Sequence, residues 1–316
     1  MESMSIDYGA HDLLQTDKAY TKQNYVPFDY YENVIEHVQA GHILAKRGKF
    51  ESAILRFNMA LEYDSSYVFA NNGLGNAYLK LNDFNKAEYY FKKAMHFGPT
   101  YAFPYNNLAN LYIIVGKREE ALPLLFTALK FDPNSSYVYY NIGNLYLADG
   151  KIGSAQSYYL KALSLNKDFC NARYNLAVSY LRQKRGGLAI PEYEKIVKIC
   201  PGHKKAVLNL AAYYIRGGQV DKALVLYRQT VIINPQVEIY LAMGHAYHNE
   251  GYFQNEIEAY EIAVQLDSTH IDAKYYLALS YYEQDMPFSS RNLCLDILKQ
   301  DPGNAKVLEL LDKTGS

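Results

Sequence analysis

The chain repeats itself every 34 residues. Residues 102–135 read AFPYNNLANLYIIVGKREEALPLLFTALKFDPNS, and residues 136–169 read SYVYYNIGNLYLADGKIGSAQSYYLKALSLNKDF. Self-similarity at a fixed period of this length marks a stack of supersecondary units, and it constrains the fold more than any local motif. With position 1 at Ala102, apolar or small residues fall at 4, 7, 8 and 11: Tyr105, Leu108, Ala109 and Tyr112, then Tyr139, Ile142, Gly143 and Tyr146. That spacing is one face of a helix. A turn follows at Gly116 or Gly150, and a second helical pattern carries Ala121, Leu125 and Ala128, then Ala155, Tyr159 and Ala162. Asp132-Pro133 ends the first unit, since proline does not continue a helix. Each unit is a helical hairpin, and one hairpin cannot bury its apolar face alone, so neighbours must stack.

The pattern resembles the tetratricopeptide repeat (TPR): large apolar at 4, Leu at 7, Gly or Ala at 8, Tyr at 11, Ala at 20, aromatic at 24, Ala at 27, Pro at 32. In this register repeats start at Val34, Val68, Ala102, Ser136, Cys170, Lys204, Val237 and Ile271. Position 11 is Leu44, then Tyr78, Tyr112, Tyr146, Tyr180, Tyr214, Tyr247 and Tyr281. Position 4 has no Trp, and Glu256 occupies position 20 of the seventh repeat, where close helix packing calls for Ala. The expected fold is all-α, a right-handed superhelical solenoid of about eight helix-turn-helix repeats over 34–302. Residues 1–33 read as an N-terminal arm or cap, with Ile6, Ala10, Leu13 and Leu14 spaced for a short helix. Residues 303–316 read as a C-terminal capping helix carrying Ala305, Leu308 and Leu311.

A net charge of −1 over 316 residues gives no global field for nucleic acid or an anionic membrane. The 33 tyrosines are in large part repeat packing residues. Cys170, Cys200 and Cys294 are scattered and form no C-x-x-C pair, which reads as thiols in a reducing compartment. The first residues lack the basic and apolar regions of a secretion signal, and no stretch reaches 18 apolar residues. A cytoplasmic location is expected on those grounds, with a signal removed from the natural protein left open.

The sequence holds no G-x-x-x-x-G-K-[ST], H-E-x-x-H or G-x-S-x-G. No catalytic residue and no cofactor is expected. His245 and His248 are three apart on one helix, but no third ligand stands nearby in sequence, so they read as polar surface histidines and not as a metal site.

One feature exceeds packing. At 100° per residue, positions 2, 5, 6, 9 and 13 of the first helix point away from the 4/7/8/11 face. In the third repeat these are Phe103, Asn106, Asn107, Asn110 and Ile114; in the fourth, Tyr137, Tyr140, Asn141, Asn144 and Ala148. The fifth gives Asn171, Tyr174, Asn175, Val178 and Arg182, and the sixth Lys205, Leu208, Asn209, Ala212 and Arg216. Asn is a mediocre helix former, so propensity does not place it there. Asn107, Asn141, Asn175 and Asn209 recur at position 6, and Asn76, Asn110 and Asn144 at position 9, with Asn72 at position 5 of the second repeat. By resemblance to the family, first helices line a concave wall. The position-6 asparagines are similar to those in the repeat array of O-linked N-acetylglucosamine transferase, and the peroxisomal import receptor likewise uses inner-wall Asn. An amide offers donors and an acceptor that can pair with a peptide main chain. The other reading is that these amides bridge adjacent helices. A carboxylate clamp for chaperone C-termini is matched only by Asn76 and Asn107, with its cationic positions occupied by Asn72, Tyr137 and Asn141.

Across the first six repeats the same five positions hold Lys46, Lys80, Arg182, Lys205 and Arg216 but no acid; Glu238, Asp272 and Glu283 follow. The sequence therefore points to a non-enzymatic scaffold that binds an extended, net acidic peptide or partner segment, with homo-oligomerisation left open. The alternatives are a self-assembling structural repeat protein, or the recruiting array of an enzyme complex.

Overall fold

The computed structural model describes residues 28–315, and every regular element among them is an α-helix. The chain divides into two compact units, one ending at Ser179 and the other beginning at Tyr180. In the first, helices pair as α1 (Phe28–Lys46) with α2 (Phe50–Tyr63), α3 (Val68–Lys80) with α4 (Phe84–Phe97), α5 (Ala102–Ile114) with α6 (Arg118–Phe131), and α7 (Ser136–Ala148) with α8 (Ile152–Leu165). Helix α9 (Cys170–Arg182) carries the boundary. The second continues with α10 (Gly186–Ile199), α11 (Lys204–Arg216), α12 (Val220–Ile233), α13 (Val237–Asn249), α14 (Phe253–Leu266), α15 (Ile271–Glu283), α16 (Pro287–Gln300) and α17 (Ala305–Lys313). Each unit is thus an all-α repeat array. The expected arm helix around Leu13 lies outside the described residues, while α1 already begins at Phe28, ahead of the sequence register at Val34.

Each hairpin closes through one left-handed residue at position 15. Five are glycines, Gly48, Gly116, Gly150, Gly218 and Gly251, with φ between 71° and 83°. The other three are Asn82 (φ 61°), Lys184 (φ 59°) and Asp285 (φ 56°). A left-handed residue lets the last turn bond back on itself: Gly150 N–H donates to Leu147 O (3.2 Å) and Lys151 N–H to Tyr146 O (2.9 Å). In the fifth repeat Lys184 holds the turn, and Gly186 opens α10. Pro123 and Pro191 lie within α6 and α10.

The core lies between the helices of each pair. Position 20 is fully buried Ala53, Ala87, Ala121, Ala155, Ala189 and Ala223, and position 24 supplies the large partner, as at Phe57, Phe91, Leu125 and Tyr159. At the C-terminal end Val307 and Leu310 of α17 join Ala278, Cys294 and Ile297 in one cluster. Cys294 in that cluster is a free, buried thiol.

Candidate functional site

In the unit ending at Ser179, the asparagine rows are buried and largely engaged with one another. Asn107 Nδ2 donates to Asn72 Oδ1 (3.0 Å), and Asn141 Nδ2 to Asn106 Oδ1 (2.9 Å). Asn175 Nδ2 donates to Asn144 Oδ1 (2.7 Å), which also accepts from the Tyr159 hydroxyl (2.9 Å). Asn72, Asn76, Asn106, Asn107, Asn110 and Asn141 are each at most 2% exposed. The sequence places these side chains on a face turned away from the core and leaves two readings, amides that meet a ligand or amides that bridge adjacent helices. Asn107 and Asn141 bridge: a position-6 amide reaches 35 residues back, to position 5 of the preceding repeat. The reason is that the first helices of successive repeats touch, α3 with α5 and α5 with α7. The helical wheel of one repeat carries no information about that neighbour.

Of the position-9 row, Asn144 is engaged in this way but Asn76 and Asn110 differ. Among the described residues, no hydrogen-bond partner reaches either amide atom of Asn76, nor Oδ1 of Asn110. Asn141 Oδ1 is unpaired in the same way, its Nδ2 being used for Asn106. Phe69 stacks on Phe103 with ring centres 5.1 Å apart, and Tyr137 and Tyr140 both pack on Phe169 at 4.8 and 5.0 Å. Asn171 and Tyr174 are half-buried. His42 occupies position 9 of the first repeat; burial, with Lys46 adding to it, lowers its pKa to about 4.

In the unit beginning at Tyr180 the next position-6 amide has a different partner. Asn209 Nδ2 donates to the Tyr193 hydroxyl (3.1 Å), on the second helix of the preceding repeat. Arg182, Lys205 and Arg216 are exposed, and Arg216 Nε donates to Ala212 O (3.2 Å). Glu238, the first acid of the face, is paired with Lys204 at 2.6 Å, and that hydrogen bond holds its carboxyl below the usual carboxylate range. The two histidines on α13 part company. His245 Nδ1 lies 2.8 Å from the Tyr260 hydroxyl, whereas His248 faces the carboxylates of Glu256 and Glu283 on α14 and α15. Sequence spacing could not show the latter cluster, whose three members come from three helices; the misfit of Glu256 at an alanine position was its only trace.

A family model described as TPR repeat matches residues 41–82, and two described as tetratricopeptide repeat match residues 140–204 and residues 70–95 with 237–270. No curated protein matches the chain. Among solved structures, Pseudomonas aeruginosa pilF is 22% identical, with TM-score 0.56, covering 66% of this chain and 94% of that one. TTC0263, a thermophilic TPR protein of Thermus thermophilus, is 24% identical, with TM-score 0.53 over 58% of this chain and 99% of its own. A human IFIT1 dimer with PPP-AAAA is 20% identical, with TM-score 0.63 over 88% of this chain and 71% of its own. At these identities the likeness concerns the fold. Among the described residues no helix is long and apolar enough to cross a membrane.

Proposed function

This chain is a tetratricopeptide-repeat protein, and we propose that it is a non-enzymatic interaction scaffold whose unit ending at Ser179 binds an extended peptide or partner segment along its first helices. One observation carries the reading: among the described residues no hydrogen-bond partner reaches either amide atom of Asn76. Leaving such a group buried and unpaired costs about 1–3 kcal/mol, a cost that a ligand removes. A side-chain amide presents one donor edge and one acceptor edge, the complement of a peptide N–H and C=O. Asn110 Oδ1 and Asn141 Oδ1 offer acceptors on the following repeats. The position-6 amides Asn107, Asn141 and Asn175 act by fixing the spacing of neighbouring helices, and the wall they brace is what the segment reads.

In the unit beginning at Tyr180, exposed Arg182, Lys205 and Arg216 favour a partner segment that is net acidic. Charge reversal at Arg182 and Arg216 together should weaken binding there. The binding should also fall as salt rises, because exposed charges are screened within about 8–10 Å at ordinary ionic strength.

The test is selection of binders from a displayed library of unstructured peptides against the full chain, followed by calorimetric titration of a selected peptide into Asn76→Ala and Asn110→Ala. The reading expects each substitution to weaken affinity about three- to tenfold, from the net worth of one hydrogen bond. Folding should be unchanged or slightly firmer, since each replacement removes an unpaired polar group. Full-strength binding by both variants would overturn the site.

A further inference from the structure

Six repeats place alanine at position 20, where the two helices of a hairpin touch; the seventh places Glu256. Its side chain is not turned out to solvent but is 3% exposed. Burying an ionised carboxylate is costly unless it is paired or coordinates a cation. Glu256 Oε1 accepts from the Ser280 hydroxyl, and Oε2 stands 3.1 Å from His248 Nδ1. A second carboxylate converges on the same nitrogen: Glu283 Oε2 lies 3.7 Å from His248 Nδ1. One ligand atom from each residue can be chosen so that all three lie within 4.8 Å of one another. Two carboxylates thus share one imidazole.

We infer that His248, Glu256 and Glu283 form a binding site for a divalent transition-metal ion, with zinc the best fit to one imidazole and two carboxylates. Ligands about 2.0–2.2 Å from a tetrahedral zinc stand roughly 3.3–3.5 Å from each other. The His248–Glu256 and His248–Glu283 separations of 3.1 and 3.7 Å straddle that spacing, and all three ligand atoms lie within 4.8 Å of one another. Ser280 holds the oxygen of Glu256 opposite the site, an outer hydrogen bond of the sort that orients metal-ligating carboxylates. His248 and Glu283 are 43% and 38% exposed, which leaves an entry path and a fourth coordination position open to solvent. The three ligands come from α13, α14 and α15, so a bound ion ties both helices of the seventh repeat to the first helix of the eighth. It would be a staple where an alanine contact is missing.

The experiment is calorimetric titration of zinc chloride into the full chain freed of metal with a chelator, with melting temperature followed in parallel. One zinc per chain and a raised melting temperature are expected, with magnesium chloride giving neither. His248→Ala and Glu283→Gln, both at accessible positions, should each abolish the stoichiometric site. Ser280→Ala should weaken it about tenfold, as loss of an outer hydrogen bond does. Circular dichroism of each variant without metal establishes that it is folded. Absence of a stoichiometric zinc site in the wild-type chain, or zinc binding that persists undiminished in folded His248→Ala and Glu283→Gln, would overturn the assignment.

Discussion

A Cβ added at Gly143 would lie 2.6 Å from Cε1 of Tyr159, the fully buried aromatic of the facing helix. The same closeness recurs between Gly41 and Phe57 (2.6 Å), Gly75 and Phe91 (2.5 Å), and Gly244 and Tyr260 (2.2 Å). Where position 8 is glycine the facing ring fills the space a methyl would take, whereas Ala109 occupies that position in the repeat of Leu125, and Ala177 and Ala211 occupy it in the repeats of Tyr193 and Tyr227. Gly143→Ala should destabilise the protein. Overpacking a tight core costs roughly 1–3 kcal/mol, against about 1 kcal/mol gained in helix propensity. The expected net loss is up to about 2 kcal/mol by urea denaturation. Gly143→Ala combined with Tyr159→Leu should recover part of it, because leucine leaves room for the methyl group.

The pairing of Asn141 with Asn106 makes a second prediction. Asn141→Ala removes the donor and strands Asn106 Oδ1 in a buried position, for a loss of about 1–3 kcal/mol. Asn106→Ala and Asn141→Ala together should cost less than the sum of the singles, since neither then leaves a buried partner behind. Additive losses in the double-mutant cycle would show that the 2.9 Å contact contributes nothing to stability.

The period and the 4/7/8/11 face were legible because they are properties of one helix seen from its own neighbours in sequence. Tyr112, Leu108 and Ala109 are buried where the spacing puts them. The asparagine ladder was legible as a recurrence but not as a contact. Whether Asn107 meets solvent or Asn72 depends on the helix 35 residues upstream, which no wheel drawn on α5 contains. The meeting of one histidine with two carboxylates was hidden for the same reason. His248, Glu256 and Glu283 are separated by whole helices in sequence, and only stacking brings them together. The turn of the fifth repeat is illegible for a different reason: Lys184 holds the left-handed position by register rather than by residue type.

That register gives the third prediction. Lys184 has φ 59° where five of the eight hairpins use glycine. A left-handed conformation costs an ordinary L-residue roughly 1–2 kcal/mol, and glycine gives back about 0.5–1 kcal/mol of the relief through its freer unfolded chain. Lys184→Gly should therefore stabilise by about 0.5–1 kcal/mol, visible as a higher denaturation midpoint with unchanged slope. The reverse change, Gly150→Lys, should lower the midpoint by a similar amount.

The last prediction concerns acid. His42 sits against Phe57 with ring centres 5.1 Å apart, and burial together with Lys46 lowers its pKa from 6.5 to about 4. The folded state therefore holds the imidazole neutral over a pH range in which the unfolded chain protonates it. Above about pH 6.5 both states are neutral and His42 contributes no pH dependence. As pH falls from 6.5 toward 4 the unfolded state takes up a proton that the folded state refuses, so stability drops. The loss approaches the order of 3 kcal/mol at the lower end, at 1.36 kcal/mol for each unit of difference. Below about pH 4 the folded state is protonated too, and the contribution levels off. His42→Gln keeps a polar side chain of similar reach but does not titrate. Denaturation free energies measured at intervals between pH 7.5 and 4 should show the wild-type chain losing stability relative to His42→Gln, with the difference opening below pH 6.5. Parallel curves for the two proteins across that range would show that His42 is as easily protonated in the folded chain as in the unfolded one.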